Sequence, residues 1–177
     1  RRELAAAQSA LERVTRHDAL TGLLSRQYGQ ERLDQEHQRA KLSGRPFGVV
    51  QIDLDHFKQI NDQHSHQVGD EVLMAFAQAA REVLRDTDLM ARWGGEEFLL
   101  ILPDTQQPQE ALQALERLQA KLGTTVVSAA VPSLRISFSA GYALWAAPED
   151  VDILLQRADR ALYAAKHAGR RRCVQAA

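Results

Sequence analysis

Four acids of this chain fall at two places where acids are unexpected. Asp53 and Asp55 close the apolar run Phe47-Gly48-Val49-Val50-Gln51-Ile52-Asp53-Leu54. Glu96 and Glu97 follow Gly94-Gly95 and open a second apolar run, Phe98-Leu99-Leu100-Ile101-Leu102. If both runs are neighbouring strands, Asp53 and Glu96 meet at one edge of one sheet. Paired carboxylates suit a hard divalent cation such as Mg²⁺, which takes one or two protein carboxylates and leaves room for substrate phosphates. Two such ions activate an attacking hydroxyl and stabilise a leaving oxygen in phosphoryl transfer. The alternative is a pair of exposed acids that repel each other, and spacing alone leaves both readings open.

The elements around these acids follow from local pattern. Apolar arms at 89–93 and 98–102 around Gly-Gly predict a β-hairpin. Glycine there permits positive φ and close approach of a ligand, and the adjacent Glu96 and Glu97 point to opposite faces. Residues 47–54 predict a central strand buried on both faces. A polar turn or short helix follows at 56–62. Helices are expected at 25–42 with Ser25 as N-cap, at 68–85, at 109–122 behind Pro108, and at 151–167 with Gly169 as C-cap. The alternation at 133–144 predicts a strand, and 170–174 a final short one. The sum is an α+β fold, a mainly antiparallel central sheet flanked by helices.

Residues 1–16 lack Gly and Pro and read as helical, with Leu4, Ala7, Leu11 and Val14 at a 3–4 spacing. A surface helix packed on its own domain fits this pattern, and so does the end of a longer connecting or coiled-coil helix. The second is favoured because the helix starts at the first residue. Two heptads do not establish a coiled coil.

The chain has 177 residues, enough for one well-buried domain. Its 22 basic and 23 acidic residues nearly cancel, which argues against a nucleic-acid partner. A single cysteine, Cys173, can neither close an internal disulfide nor build a structural zinc site. A reducing, cytoplasmic setting fits, whatever membrane attachment a parent protein has.

Five blocks in order resemble the GGDEF domain family, the bacterial diguanylate cyclases. They are His17-Asp18-Ala19-Leu20-Thr21-Gly22-Leu23; Asp53 through Asp62; His66-Gln67-Val68-Gly69-Asp70; Gly94-Gly95-Glu96-Glu97-Phe98; and Ala158 through Lys166 with Gly169-Arg170. The resemblance divides the chain into a linker end, 1–16, and a GGDEF catalytic domain, 17–177. It implies a core like that of nucleotidyl cyclases and polymerase palms, of ferredoxin-like type. It also implies condensation of two GTP into cyclic di-GMP with release of two pyrophosphates, across a homodimer governed by an upstream sensor domain.

By the same resemblance, Asp53, Glu96 and the Leu54 carbonyl ligate two Mg²⁺ or Mn²⁺ ions per site. Glu97 assists the metals or helps deprotonate the attacking 3′-hydroxyl. Asn61 and Asp70 read guanine, whose N1–H and N2–H₂ edge offers donors that a carboxylate and an amide oxygen accept. Phe57, Lys58 and His66 lie along the substrate. Gly94 and Gly95 admit the α-phosphate, and Lys166 with Arg170 clamps the outer phosphates. Arg85-Asp86-Thr87-Asp88 has the spacing of an RxxD inhibitory site, with Arg117 as helper, and implies allosteric inhibition by product. Outside the resemblance, Arg85 and Asp88 read as a polar helix-to-strand connection.

Three residues depart from the pattern. Ser25 stands where the family usually has Asn, and Ser65 where it usually has Gly. If position 65 needs a positive φ, serine is strained there by roughly 1 kcal/mol and the guanine pocket shifts. Trp93 is bulky for its place before the glycines and is expected in the core. Competing readings are a non-catalytic sensor of GTP or cyclic di-GMP, and a cyclase making a monomeric cyclic nucleotide.

Overall fold

The computed structural model describes residues 1–177. Its centre is β1 (Gly48–Leu54), buried at every residue, as the near-continuous apolar run predicts. β3 (Glu97–Leu102) and β4 (Phe138–Leu144) flank it, both antiparallel. β2 (Leu89–Arg92) pairs with β3, and β5 (Cys173–Gln175) adds a parallel edge beside β4. The sheet order is β2-β3-β1-β4-β5.

Helices cover both faces. α4 (His66–Val83) and α5 (Pro108–Thr124) cover one, where the Phe76 ring packs tilted against Phe98 at 4.6 Å and edge-to-face against Phe138 at 6.0 Å. α2 (Arg26–Ser43) and α6 (Val151–His167) cover the other, where Trp93 packs as expected beside Leu33, Leu99 and Leu154. The period of two along β1 therefore sends Val50, Ile52 and Leu54 to the first face and Val49 to the second. α3 (Phe57–Gln63) is the short helix after β1. α1 (Arg2–Arg16) contributes no buried residue, and Leu4, Leu11 and Val14 are exposed. No helix is long and apolar enough to cross a membrane.

Four local expectations are corrected. The strand expected at 133–144 starts only at Phe138, opposite Leu54, because β1 ends there and leaves no ladder to extend. The helix expected from 68 starts at His66, because the Ser65 side chain caps it by accepting from the Val68 N–H at 3.1 Å. Ser65 has φ 177, extended backbone that serine adopts freely, so the expected strain is absent. The hairpin glycines are not at positive φ either. β2 ends at Arg92 and β3 begins at Glu97, so the four-residue loop is 93–96, one position earlier than the 94–97 that the expected arms leave. Loops of that length are built around turns with negative φ. Ser25 caps α2 in place of asparagine, accepting from the Tyr28 N–H at 3.2 Å.

Candidate active site

The site forms where β1 leaves the sheet. Asp53 is the last β1 residue on the α6 side, paired in register with Glu97 of β3. One residue on, the Leu54 N–H donates to the Glu96 carbonyl at 3.1 Å, which ties the hairpin loop to the end of β1. Asp53, Leu54, Glu96, Lys58, Lys166 and Arg170 line one cavity of about 320 Å³, together with Asp55, His56 and Phe57. The resemblance implies thirteen residues for this site, and the fold gathers seven of them here, Phe57 included. Asn61 and Asp70 lie further along, on α3 and α4. His66 is exposed at the start of α4 and does not line the cavity.

The two glutamates part company. Glu96 is half-buried and faces the cavity; Glu97 is exposed and does not line it. The Glu97 carboxylate folds back beside Gly94, where a Cβ would come within 2.9 Å of its Oε2. A Cβ at Gly95 would meet nothing within 4 Å, so the loop is open on that side.

Lys166 is not free in the cavity. Its Nζ donates to Asp53 Oδ2 at 2.6 Å, with the Asp53 side chain only 10% exposed and that of Lys166 32%. A buried carboxylate needs such a partner. Asp55, the other acid at the end of β1, is held by hydrogen bonds and not at an exposed edge. It is buried, and its carboxylate accepts from the Ser137 and Ser139 hydroxyls, each at 2.6 Å, and from the Arg171 N–H at 3.1 Å. It joins β1, β4 and the turn after α6, where Arg170 and Arg171 both have positive φ. His56, at φ 57 between β1 and α3, is the other strained residue beside the cavity.

The donor set fits Mg²⁺ or Mn²⁺. Two carboxylates and a backbone carbonyl are hard oxygen ligands. No group of three His, Cys, Asp or Glu side chains could hold a metal by itself. A site of this kind is completed by substrate phosphates. Cys173 takes no part: burial, then the nearby Glu116 and Asp55 charges, push its thiol up to about 12.

A clasp that the sequence did not reveal steadies the hairpin. Arg92 donates to the Gly95 carbonyl through Nε at 3.1 Å and Nη2 at 2.9 Å, and reaches both Asp18 oxygens through Nη1 at 3.3 Å. Partial burial alone would raise the Asp18 pKa. Hydrogen bonds from the Thr21 hydroxyl and N–H, then the Arg92 charge, outweigh it and hold the carboxyl below its usual 3.8. A carboxyl lowered in the folded state adds stability above its unfolded pKa and loses it as pH falls through the folded value. Asp18→Asn should therefore lower the melting temperature at pH 6, with the gap closing below pH 4. A gap that stays constant down to pH 2.5 would show that the charge of Asp18 does not matter.

A second pocket, of about 170 Å³, lies at the far end of β2. Arg85, Asp88, Arg117, Glu110 and Gln113 line it. Arg85 grips Asp88 through Nη2 at 2.9 Å and Nε at 3.2 Å, and also reaches the Pro103 carbonyl at 3.3 Å. The hydrogen bond to Asp88 raises the Arg85 pKa further. All three expected residues thus share one pocket, with Arg85 and Asp88 already paired.

The family model described as diguanylate cyclase, GGDEF domain, matches residues 15–172. The chain belongs to the GGDEF family. It is 42% identical over 155 residues to diguanylate cyclase DgcP of Pseudomonas aeruginosa, covering 88% of this chain and 23% of that protein. The coiled coil and GGDEF domain of DgcB from Caulobacter crescentus, in complex with c-di-GMP, superposes with a TM-score of 0.93 at 29% identity, covering 99% of this chain and 93% of the other. The active GGEEF domain of a diguanylate cyclase from Vibrio cholerae gives 0.81 at 31%, covering 88% and 98%. The chain spans 23 to 40% of the length of the curated relatives it matches. Its α+β core is that of a GGDEF domain, with the mainly antiparallel sheet expected.

Proposed function

We propose that this GGDEF domain is a diguanylate cyclase that condenses two GTP into cyclic di-GMP. The observation that carries this is the joint lining of one cavity by Asp53, Glu96, Lys166 and Arg170. Asp53, Glu96 and the Leu54 carbonyl hold two Mg²⁺ or Mn²⁺ ions. When bound, these ions lower the pKa of the attacking 3′-hydroxyl and stabilise charge on the leaving pyrophosphate. Asn61 and Asp70 accept from guanine, and an adenine does not present those donors in the same arrangement. Phe57 and Lys58 lie against the triphosphate, and the open side of Gly95 leaves space for its α-phosphate. Lys166 exchanges Asp53 for a phosphate oxygen as GTP enters, with Arg170 beside it. The exposure of Glu97 suits a base facing the opposing nucleotide better than a ligand of the ions.

Each domain holds one GTP, so closing the ring needs two domains face to face. The unburied apolar positions of α1 support a second copy beside it, through the end of a connecting helix from an upstream sensor. The match to the DgcB coiled coil and GGDEF domain, which covers 99% of this chain, supports the same reading.

Incubation with GTP and Mg²⁺, followed by product chromatography, tests the assignment. Cyclic di-GMP and pyrophosphate in a one-to-two ratio are expected. Cyclic GMP, turnover of ATP, or GTP returned unchanged would each overturn it.

The Arg85 pocket supports product inhibition. Cyclic di-GMP takes over the Arg85 guanidinium and Asp88, with Arg117 adding charge, and so links domains in an arrangement that keeps active sites apart. Arg85→Ala should raise the inhibitory product concentration by at least tenfold with the initial rate unchanged. An inhibition curve identical to wild type would remove this site.

A further inference from the structure

Gly69 sits in the first turns of α4, one residue before Asp70, and is buried. Its backbone is not at positive φ, so helix geometry alone does not call for glycine. Glycine in a helix is in fact less stable than alanine. The space above its Cα explains its presence. A Cβ built there would overlap the Asn61 side-chain oxygen, lie 2.9 Å from Asn61 Cγ, and come within 3.3 Å of Phe57 Cζ. The Asn61 amide of α3 therefore lies directly over residue 69 of α4, the neighbour in sequence of Asp70.

We infer that Gly69 is a specificity-positioning residue: its missing side chain is the slot that seats the Asn61 amide for guanine. This rests on the reading of Asn61 as a guanine reader. The overlap falls on the far end of a rotatable side chain, not on backbone. An alanine is therefore accommodated by turning the amide aside, and Phe57 gives way by a few tenths of an ångström. The fold survives that movement while the hydrogen-bonding geometry toward a base does not. A slot of this kind separates stability from recognition, which a residue with a merely structural role cannot do.

The test titrates the α,β-methylene analogue of GTP, with Mg²⁺, into the 177-residue chain by calorimetry. Wild type, Asn61→Ala, Gly69→Ala and the double variant are compared, with melting curves for each. Gly69→Ala should bind at least tenfold more weakly and melt no lower than wild type, since alanine is the better helix former. The double variant should bind no worse than Asn61→Ala alone, because both changes remove the same contact. Wild-type affinity in Gly69→Ala beside a weakened Asn61→Ala would overturn the slot and leave the reading of Asn61 standing. Wild-type affinity in Asn61→Ala would overturn that reading and the slot with it. Losses that add in the double variant, or a marked fall in melting temperature for Gly69→Ala, would assign Gly69 to packing and end the proposal.

Discussion

Glu96→Ala and Asp53→Ala should each lower cyclic di-GMP synthesis by ~10³-fold or more while the domain stays folded. The size follows from the job proposed for these carboxylates. Ions that stabilise transition-state charge are worth several kcal/mol, and each 1.36 kcal/mol is tenfold in rate. Neither change opens the core. Glu96 is half-buried on a loop, and the charge of Lys166 that Asp53 leaves behind is about a third exposed and can turn to water. Asp53→Asn is the stricter variant, since it keeps the shape beside Lys166 and removes only the charge. Product formation at saturating GTP, read beside thermal melting, checks both halves. If either alanine variant turned over at the wild-type rate, the metal assignment would be wrong. If activity fell only in step with melting temperature, the loss would belong to stability.

Gly141→Ala should unfold the domain more easily than any exposed substitution, and should disturb the site from behind. Gly141 lies in β4 where the sheet meets α6 backbone to backbone. A Cβ there would overlap the Ala158 carbonyl oxygen and the Leu162 nitrogen, and lie 2.7 Å from the Ala161 carbonyl carbon. Backbone cannot rotate aside as a side chain can, so α6 must move off the sheet. Overpacking of this kind costs about 3 kcal/mol, which lowers the melting temperature by roughly 6–12 °C for a domain of this size. α6 carries Lys166 and leads to Arg170, so KM for GTP should rise as well. Gly123→Ala is the control: a Cβ in that place, near the end of α5, meets nothing within 4 Å. Equal melting temperatures for the two variants would show that α6 shifts at no cost.

Much of the site was legible before any fold was known, because its residues sit in contiguous blocks with their own local signatures. The run ending at Asp53 announced a buried strand, and the hairpin arms around Gly94-Gly95 announced a turn. Ser25 could be read as a cap because serine and asparagine do the same work at that position. What escaped the reading was mostly pairwise and distant. Arg92 and Asp18 are 74 residues apart, and nothing local marks them as partners. The three donors to Asp55 come from β4, from the residue before it, and from the turn after α6. The strain at Ser65 was conditional on a positive φ, and the hairpin glycines were read as permitting one. The backbone uses neither, because Ser65 caps α4 from extended backbone and the four-residue loop turns without positive φ.

The sequence by itself determined the kinds of element, their order, and which side chains carry the carboxylates and cations of the candidate site. Hydrophobic periodicity and capping chemistry act over a few residues, so they can be read along the chain. Only the tertiary structure decided which of those side chains meet. The bond from the Leu54 N–H to the Glu96 carbonyl ties the hairpin loop to the end of β1, where Glu96 lines the cavity and Glu97 does not. The approach of α6 to Gly141 carries Lys166 onto Asp53, and the packing of α3 on α4 lays Asn61 over Gly69. The first two are contacts between segments far apart in sequence, and the third joins two successive helices across a short turn. Such contacts are set by packing of the whole core, which no local pattern encodes.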